Sequence, residues 1–235
     1  MNKGMKIYLA ECIGTAVLVL VGCGSVAIGG FSGNPVVNVL GIGTAFGIAV
    51  AAVAYGLGPV SGAHLNPAVT VAMVTAGRMK TDVAFGYIIA QFVGAVIGAV
   101  LIWAILTGKG GPALNVATAN LGQNGYGPGF LGGYSLETAA LAELLATFIF
   151  VTVILGVTNG RTATPVASLV IGLTLLVLHL PFFNVTALSV NPARSFGPAV
   201  IVQAKALQQV WLFLVVPTIA GAITGWLFRK RILAP

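Results

Sequence analysis

The chain has 235 residues, of which 58% are hydrophobic and only 6% charged. A soluble domain is about 25% charged, so 11 basic and 4 acidic side chains are too few to cover a water-facing surface, which excludes an ordinary soluble domain. The net charge of +7 would suit a nucleic-acid partner, but the basic residues are scattered between apolar runs, as membrane topology requires.

A helix that crosses about 30 Å of hydrocarbon needs roughly 20 residues. The first span is predicted over residues 7–29. Its start resembles a signal peptide, with a basic stretch at 1–6 and a lipoprotein-like box at Leu20-Val21-Gly22-Cys23. Glu11 interrupts the apolar run, which also continues past Cys23, so the segment reads as a retained membrane helix. Cys12 and Cys23 are the two cysteines and form no CxxC or Cys/His cluster, which argues against a disulfide framework and a metal site. Gly22-x-Gly24 followed by Ala27 superficially looks like a dinucleotide loop, but no strand precedes it.

Residues 12–77 contain no Asp, Glu, Lys or Arg, and Gly and Pro subdivide them. A second span is predicted over 38–58 and a third over 83–106. The glycine-rich segment 107–135 reads as a long external loop. Three more spans follow over 136–157, 163–181 and 207–228. Asn184-Val185-Thr186 matches a glycosylation triplet, a single match of little weight.

Two stretches, 59–77 and 182–206, are uncharged or nearly so but fit no span. Each contains Asn-Pro-Ala, at Asn66-Pro67-Ala68 and at Asn191-Pro192-Ala193. Asn is a good N-cap and Pro is tolerated at the first helical position, so each tripeptide predicts the start of a half-helix too short to cross. Irregular backbone at membrane depth survives only where protein buries it or water lines it. Both are therefore expected to be re-entrant.

Six spans put both termini on one side. That side carries Lys3, Lys6, Arg78, Lys80, Arg161, Arg229, Lys230 and Arg231, and the other carries Lys109 and Lys205. The bias predicts cytoplasmic termini in a cell (inner) membrane. The halves also match each other. Ala10-Glu11-x-x-x-Thr15 corresponds to Ala142-Glu143-x-x-x-Thr147, and Asn66-Pro67-Ala68 to Asn191-Pro192-Ala193. Gln91-x-x-Gly94-Ala95 matches Pro217-x-x-Ala220-Gly221 more loosely. Three spans per half is an odd number, so the second half enters from the opposite face. The reading is a single domain over 1–235 with inverted repeats at about 1–110 and 134–235. Such folds place their site near the midplane, where half-helix N-termini point at the pathway.

Over essentially its whole length the chain resembles the aquaporins, or major intrinsic proteins. The residues that carry the likeness are Ser61-Gly62-Ala63-His64-Leu65-Asn66-Pro67-Ala68-Val69-Thr70 and Ser189-Val190-Asn191-Pro192-Ala193-Arg194-Ser195. Within the family they look most like the bacterial water-selective branch, the aquaporin Z type. The resemblance implies an all-α membrane protein of six transmembrane helices and two re-entrant half-helices in an inverted repeat. It also implies a homotetramer in the lipid bilayer with one water pore per protomer, and no cofactor or nucleic acid. Asn66 and Asn191 would cap their helices and aim an N–H at the permeating water. Two helix N-termini meeting there, each worth about half a positive charge, repel cations and break a proton relay.

By the same resemblance, Phe46, His179, Leu188 and Arg194 align with the family's selectivity filter near the external mouth. Arg194 and His179 would donate to water, and Phe46 would form an apolar wall. A guanidinium at membrane depth is costly and marks function by default. Leu188 departs from the small or polar residue usual at its position. His179, Ser195, Ala199 and Phe213 fit the water branch, whereas Leu214 replaces a frequent Trp. His64 resembles a histidine lining the cytoplasmic side of the pore. Glu11 and Glu143 read as buried structural carboxylates that accept backbone N–H groups from the half-helix loops. Gly43-x-x-x-Gly47, Gly94-x-x-x-Gly98 and Gly221-x-x-x-Gly225 permit close helix approach, within or between protomers.

The expected function is passive, bidirectional water conduction that excludes protons and ions. No Ser/His/Asp or paired-carboxylate arrangement suggests an enzyme. A wider channel for glycerol, ammonia or another small uncharged solute is the first rival, motivated by Leu188. A proton-coupled transporter is the second, motivated by Glu11 and Glu143.

Overall fold

A computed structural model describes residues 3–30, 37–108, 120–160 and 164–233. Lys109, Arg161 and the side chain of Lys3, all used above for orientation, lie outside the described residues, as does the stretch 109–119 of the expected external loop. Among the described residues there are eight helices and no strand. They are α1 (Lys3–Ala27), α2 (Val39–Ser61), α3 (Pro67–Thr75), α4 (Thr81–Thr107), α5 (Leu136–Val157), α6 (Ala167–Thr186), α7 (Pro192–Val202) and α8 (Ala204–Arg229).

Six of these are long and apolar enough to cross a membrane. Their surfaces are inverted relative to a soluble helix. On α1 the exposed side chains are Leu9, Ile13, Val17 and Val21, four apart on one face, while Glu11 and Thr15 are buried. On α8 the exposed row is Leu207, Trp211, Val215, Ile219 and Ile223. Apolar faces of this extent belong against lipid. The remaining two, α3 and α7, have 9 and 11 residues. At 1.5 Å per residue they reach about half of the hydrocarbon thickness.

The helix starts follow local chemistry. Asn66 caps α3 and Asn191 caps α7, each with extended backbone, and Pro67 and Pro192 take the first helical positions. Two helices run past a proline that was expected to end them. Helix α2 continues through Pro59 to Ser61, and α6 continues through Pro181 to Thr186, beyond the expected ends at 58 and 181. A proline inside a helix removes one backbone hydrogen bond, and tertiary packing here carries the helix past it. Both helices stop where the backbone turns left-handed, at Gly62 (φ 87) and Ala187 (φ 60).

Pairings in the first half recur in the second. α1 packs on α2 and α4 as α5 packs on α6 and α8, and α3 packs on α8 as α7 packs on α4. The contacts are made over glycines. A Cβ on Gly94 or Gly98 of α4 would run into the Cys12 or Ala16 carbonyl oxygen of α1. One on Gly43 or Gly47 of α2 would meet the carbonyls of Leu176 or Gly172 on α6, and one on Gly221 or Gly225 of α8 those of Ala68 or Ala72 on α3. All three small-residue motifs thus serve packing within one protomer.

Gly94→Ala is expected to lower the thermal unfolding midpoint in detergent, since forced overpacking costs about 1–3 kcal/mol. Gly56→Ala is the control, because a Cβ there meets nothing within 4 Å. Equal midpoints for the two variants would show that α1 and α4 are not in backbone contact.

Candidate functional site

The half-helices meet through their capping residues. Asn66 Oδ1 accepts from Ala68 N (2.8 Å), and Asn191 Oδ1 accepts from Ala193 N (3.0 Å) and Arg194 N (3.2 Å). Each amide also reaches across. Asn66 Nδ2 donates to Val190 O (2.7 Å), and Asn191 Nδ2 donates to Leu65 O (2.8 Å). An Asn amide has two N–H groups, so one on each residue ties the two loops together and one is left for the cavity that both residues line.

The loops that deliver these asparagines are backbone outliers. Counted back from the Asn, positions four, three and one are left-handed in both: Gly62 (φ 87), Ala63 (φ 48) and Leu65 (φ 54), then Ala187 (φ 60), Leu188 (φ 40) and Val190 (φ 49). For bulky or β-branched side chains this region is rare and costs of order 1–3 kcal/mol per residue. Two buried carboxylates hold it. Glu11 accepts from Ser61 Oγ (2.7 Å), His64 N (2.9 Å), Leu65 N (2.7 Å) and Gln91 Nε2 (2.8 Å). Glu143 accepts from Thr186 Oγ1 (2.7 Å), Ser189 N (2.9 Å) and Val190 N (2.9 Å). Neither carboxylate lines the cavity.

That cavity has a volume of about 240 Å3, many times the roughly 10–15 Å3 that a single water requires. Phe46, Val50, Ala54 and Gly58 of α2 line it at intervals of four residues, which is one helix face about 18 Å long. On α6 the lining runs from Ser168 through Ile171 and Leu175 to His179. Asn66 and Asn191 line the same cavity, with His64 and Ser189 on their loops.

Phe46, His179 and Arg194, all buried, come together on the cavity's lining. Phe46 and His179 stack with centroids 4.7 Å apart, and Arg194 Cζ lies 4.9 Å from the Phe46 centroid. The guanidinium is held by neutral oxygens: Nη1 donates to Gly122 O (2.7 Å) and Asn124 Oδ1 (2.8 Å), and Nη2 to Ala187 O (3.4 Å). His179 Nδ1 lies 2.8 Å from Leu175 O. A carbonyl can only accept, so Nδ1 donates in that bond, and Nε2 is buried with no hydrogen-bond partner among the described residues.

Two further expected residues take different places. Leu188 is buried in the apolar cluster with Ala187 and Val190 and is not among the residues that line the cavity. His64 lines the cavity on the first loop, with Nδ1 3.1 Å from Thr70 Oγ1 and its ring 5.1 Å from that of Tyr87. Sequence reasoning missed Asn124 and Gly122. Asn124 Nδ2 donates to Thr186 O (2.8 Å), which fixes the amide so that its oxygen faces Arg194 and also accepts from Ser195 Oγ (2.8 Å). The signal was the Gly-Gln-Asn-Gly-Tyr-Gly run, too rich in turn formers for a featureless loop.

The family model described as Major intrinsic protein matches residues 2–228. Among curated relatives, the chain is 42% identical to Aquaporin Z of Bradyrhizobium diazoefficiens, covering 96% of this chain and 92% of that protein. It is 41% identical to Aquaporin Z of Rhodopseudomonas palustris (97% and 93%) and 38% identical to that of Photorhabdus laumondii (94% of each). Among solved structures, it is similar to the aquaglyceroporin from Plasmodium falciparum, with a TM-score of 0.83, 23% identity and 97% of each chain covered. At that identity the likeness speaks to the fold.

Glu143→Leu is expected to destabilise the protein severely, because it strands the Ser189 and Val190 N–H groups at about 1–3 kcal/mol each. Glu143→Gln keeps one acceptor oxygen and should fall between Leu and wild type. Size-exclusion profiles and unfolding midpoints in detergent check this ranking; a Leu variant as stable as wild type would remove the carboxylate from the loop's support.

Proposed function

The chain belongs to the major intrinsic protein family, and on that premise we propose that it is a passive membrane channel conducting water in both directions down osmotic gradients while excluding protons and ions. The observation that carries this reading is the meeting of two helix N-termini, through Asn66 and Asn191, on one cavity of about 240 Å3. The apolar stripes of α2 and α6 hold permeating water weakly, and the free N–H of each asparagine gives it one oriented stop. A water whose oxygen accepts both N–H groups turns its hydrogens outward, so no proton wire crosses that point. The half-charges of the two helix ends oppose cations at the same place.

Phe46, His179 and Arg194 form the constriction and the selectivity filter in this reading. Arg194 supplies a fixed positive charge and donors, His179 its unpartnered Nε2, and Phe46 a flat apolar wall. Leu188 is buried in the apolar cluster that also contains Phe46 and is not among the cavity's lining residues, which favours the water reading over the wider channel that its departure suggested. Glu11 and Glu143 are engaged by the loops and do not face the cavity, which leaves a proton-coupled transporter without its relay.

Further features belong to the same proposal. Lys6, Arg78, Lys80, Arg229, Lys230 and Arg231 flank the helix ends on one side and support cytoplasmic termini in the inner membrane. The recurrent helix pairing supports inverted repeats with boundaries near 110 and 134. We carry the homotetramer over from the resemblance; the glycine motifs contribute nothing to it, since each is used within one protomer.

Stopped-flow light scattering on proteoliposomes tests the function. Under an impermeant osmolyte, shrinkage faster than in empty vesicles and of low activation energy is expected, with no re-swelling when glycerol replaces the osmolyte. Prompt glycerol re-swelling would move the protein to the wider-channel reading. Arg194→Ala is expected to keep water conduction and to admit glycerol or protons; a folded variant with unchanged exclusion removes Arg194 from the filter.

A further inference from the structure

We propose that Gly22, on α1 and outside the cavity lining, is a positioning residue that sets the width of the constriction by leaving the Phe46 ring the space it occupies. The inference rests on the filter reading above and deepens it. A Cβ added to Gly22 would stand 2.8 Å from Phe46 Cγ and nearer still to Cδ1 and Cε1, and these are its three nearest heavy atoms. The α1 backbone at Gly22 is thus the floor on which the ring lies. The rest of the ring's surroundings are the constriction itself, with His179 stacked at 4.7 Å and the Arg194 guanidinium carbon at 4.9 Å.

The floor cannot retreat easily. Helix α1 is held to α4 at Cys12 and Ala16, where Gly94 and Gly98 leave no room for a Cβ, and the Cys23 backbone lies against Gly122. Carbon pairs settle at about 3.5–4.0 Å, so a methyl at position 22 drives the ring roughly 1 Å toward the lumen. In a channel whose selectivity comes from its diameter, that is enough to obstruct a single file of water. The pair Gly22-x-Gly24 contains its own comparison. A Cβ at Gly24 would meet only Ile102 Cγ1 and Ile28 Cδ1, both at 3.8 Å, an ordinary contact. Of the two glycines, the first is the one without room, which gives a role to a motif that the absence of a preceding strand had left without one.

The test is a double-mutant cycle in proteoliposomes, read as water permeability per reconstituted channel, with Gly22→Ala, Phe46→Ala, the double variant and Gly24→Ala. Gly22→Ala is expected to lose about tenfold in water permeability, and Gly24→Ala to match wild type. In the Phe46→Ala background, which lacks all three clashing atoms, Gly22→Ala should have no further effect. A folded Gly22→Ala conducting within about twofold of wild type, or one losing as much without the ring as with it, overturns the proposal. Should Gly22→Ala fail to fold, the double variant must fold; if it also fails while Phe46→Ala and Gly24→Ala fold, Gly22 serves helix packing and the proposal falls. A wild type no faster than empty vesicles would overturn the channel reading instead, and the same cycle read by thermal unfolding then still reports whether the Gly22 penalty depends on the ring.

Discussion

Everything in this molecule follows from the need to answer backbone N–H groups where there is no water to do it. Two loops lie at membrane depth, and a helix cannot satisfy their polar groups because they are not helical. Glu11 and Glu143 do so instead, each accepting two consecutive loop N–H groups, His64 and Leu65 in one case and Ser189 and Val190 in the other. The carboxylates lock the left-handed residues on either side of these bonds, and those residues in turn aim Asn66 and Asn191 at each other's loops. Charge is suited to the task because a carboxylate's hydrogen bonds are about twice as strong as those of a neutral acceptor. A weaker acceptor would leave the left-handed backbone free to relax, and with it the two helix N-termini.

Close helix packing is the second requirement, and it answers to the same geometry. Half-helices ending at the midplane fit only if the long helices come near enough to seal around them. Gly221 and Gly225 let α8 lie on the α3 backbone, and Gly197 lets α7 lie on Ala95 of α4. Without a hydrophobic drive between helices in lipid, backbone contact over small residues supplies the van der Waals attraction. The cavity is therefore the space left between surfaces that otherwise touch, with Phe46 filling the place where α1 offers only Gly22.

The fold was legible where the sequence is extreme and the site where it repeats. Long uncharged runs gave six spans, and Asn-Pro-Ala gave both half-helix starts to the residue, since capping is a local event. Helix ends were harder. Pro59 and Pro181 look like terminators, yet each sits inside a helix that tertiary packing extends, and the true stops are turns at Gly62 and Ala187. Asn124 escaped notice because its role depends on a loop folding back 70 residues in sequence to reach Arg194. The orientation of the His179 ring was also hidden, because its Nδ1 is engaged by a carbonyl four residues earlier on its own helix. No composition or motif registers such contacts.

Arg194 shows how the electrostatics fit together. A buried guanidinium is usually matched by a carboxylate, which offsets the cost of removing its charge from water. Here Gly122 O, Asn124 Oδ1 and Ala187 O take that place, and the carboxylate of Glu143 is engaged by its own loop. Neutral oxygens fix the position of the guanidinium without cancelling its charge. The field at the constriction therefore stays positive, of the same sign as the two helix ends at the midplane. A neutral water meets donors and an apolar wall, while a cation meets two successive barriers of one sign along a cavity lined, among the described residues, by no carboxylate. Selectivity of this kind needs no moving part, only a guanidinium held by neutral partners and a loop carboxylate whose hydrogen bonds are taken by its own loop.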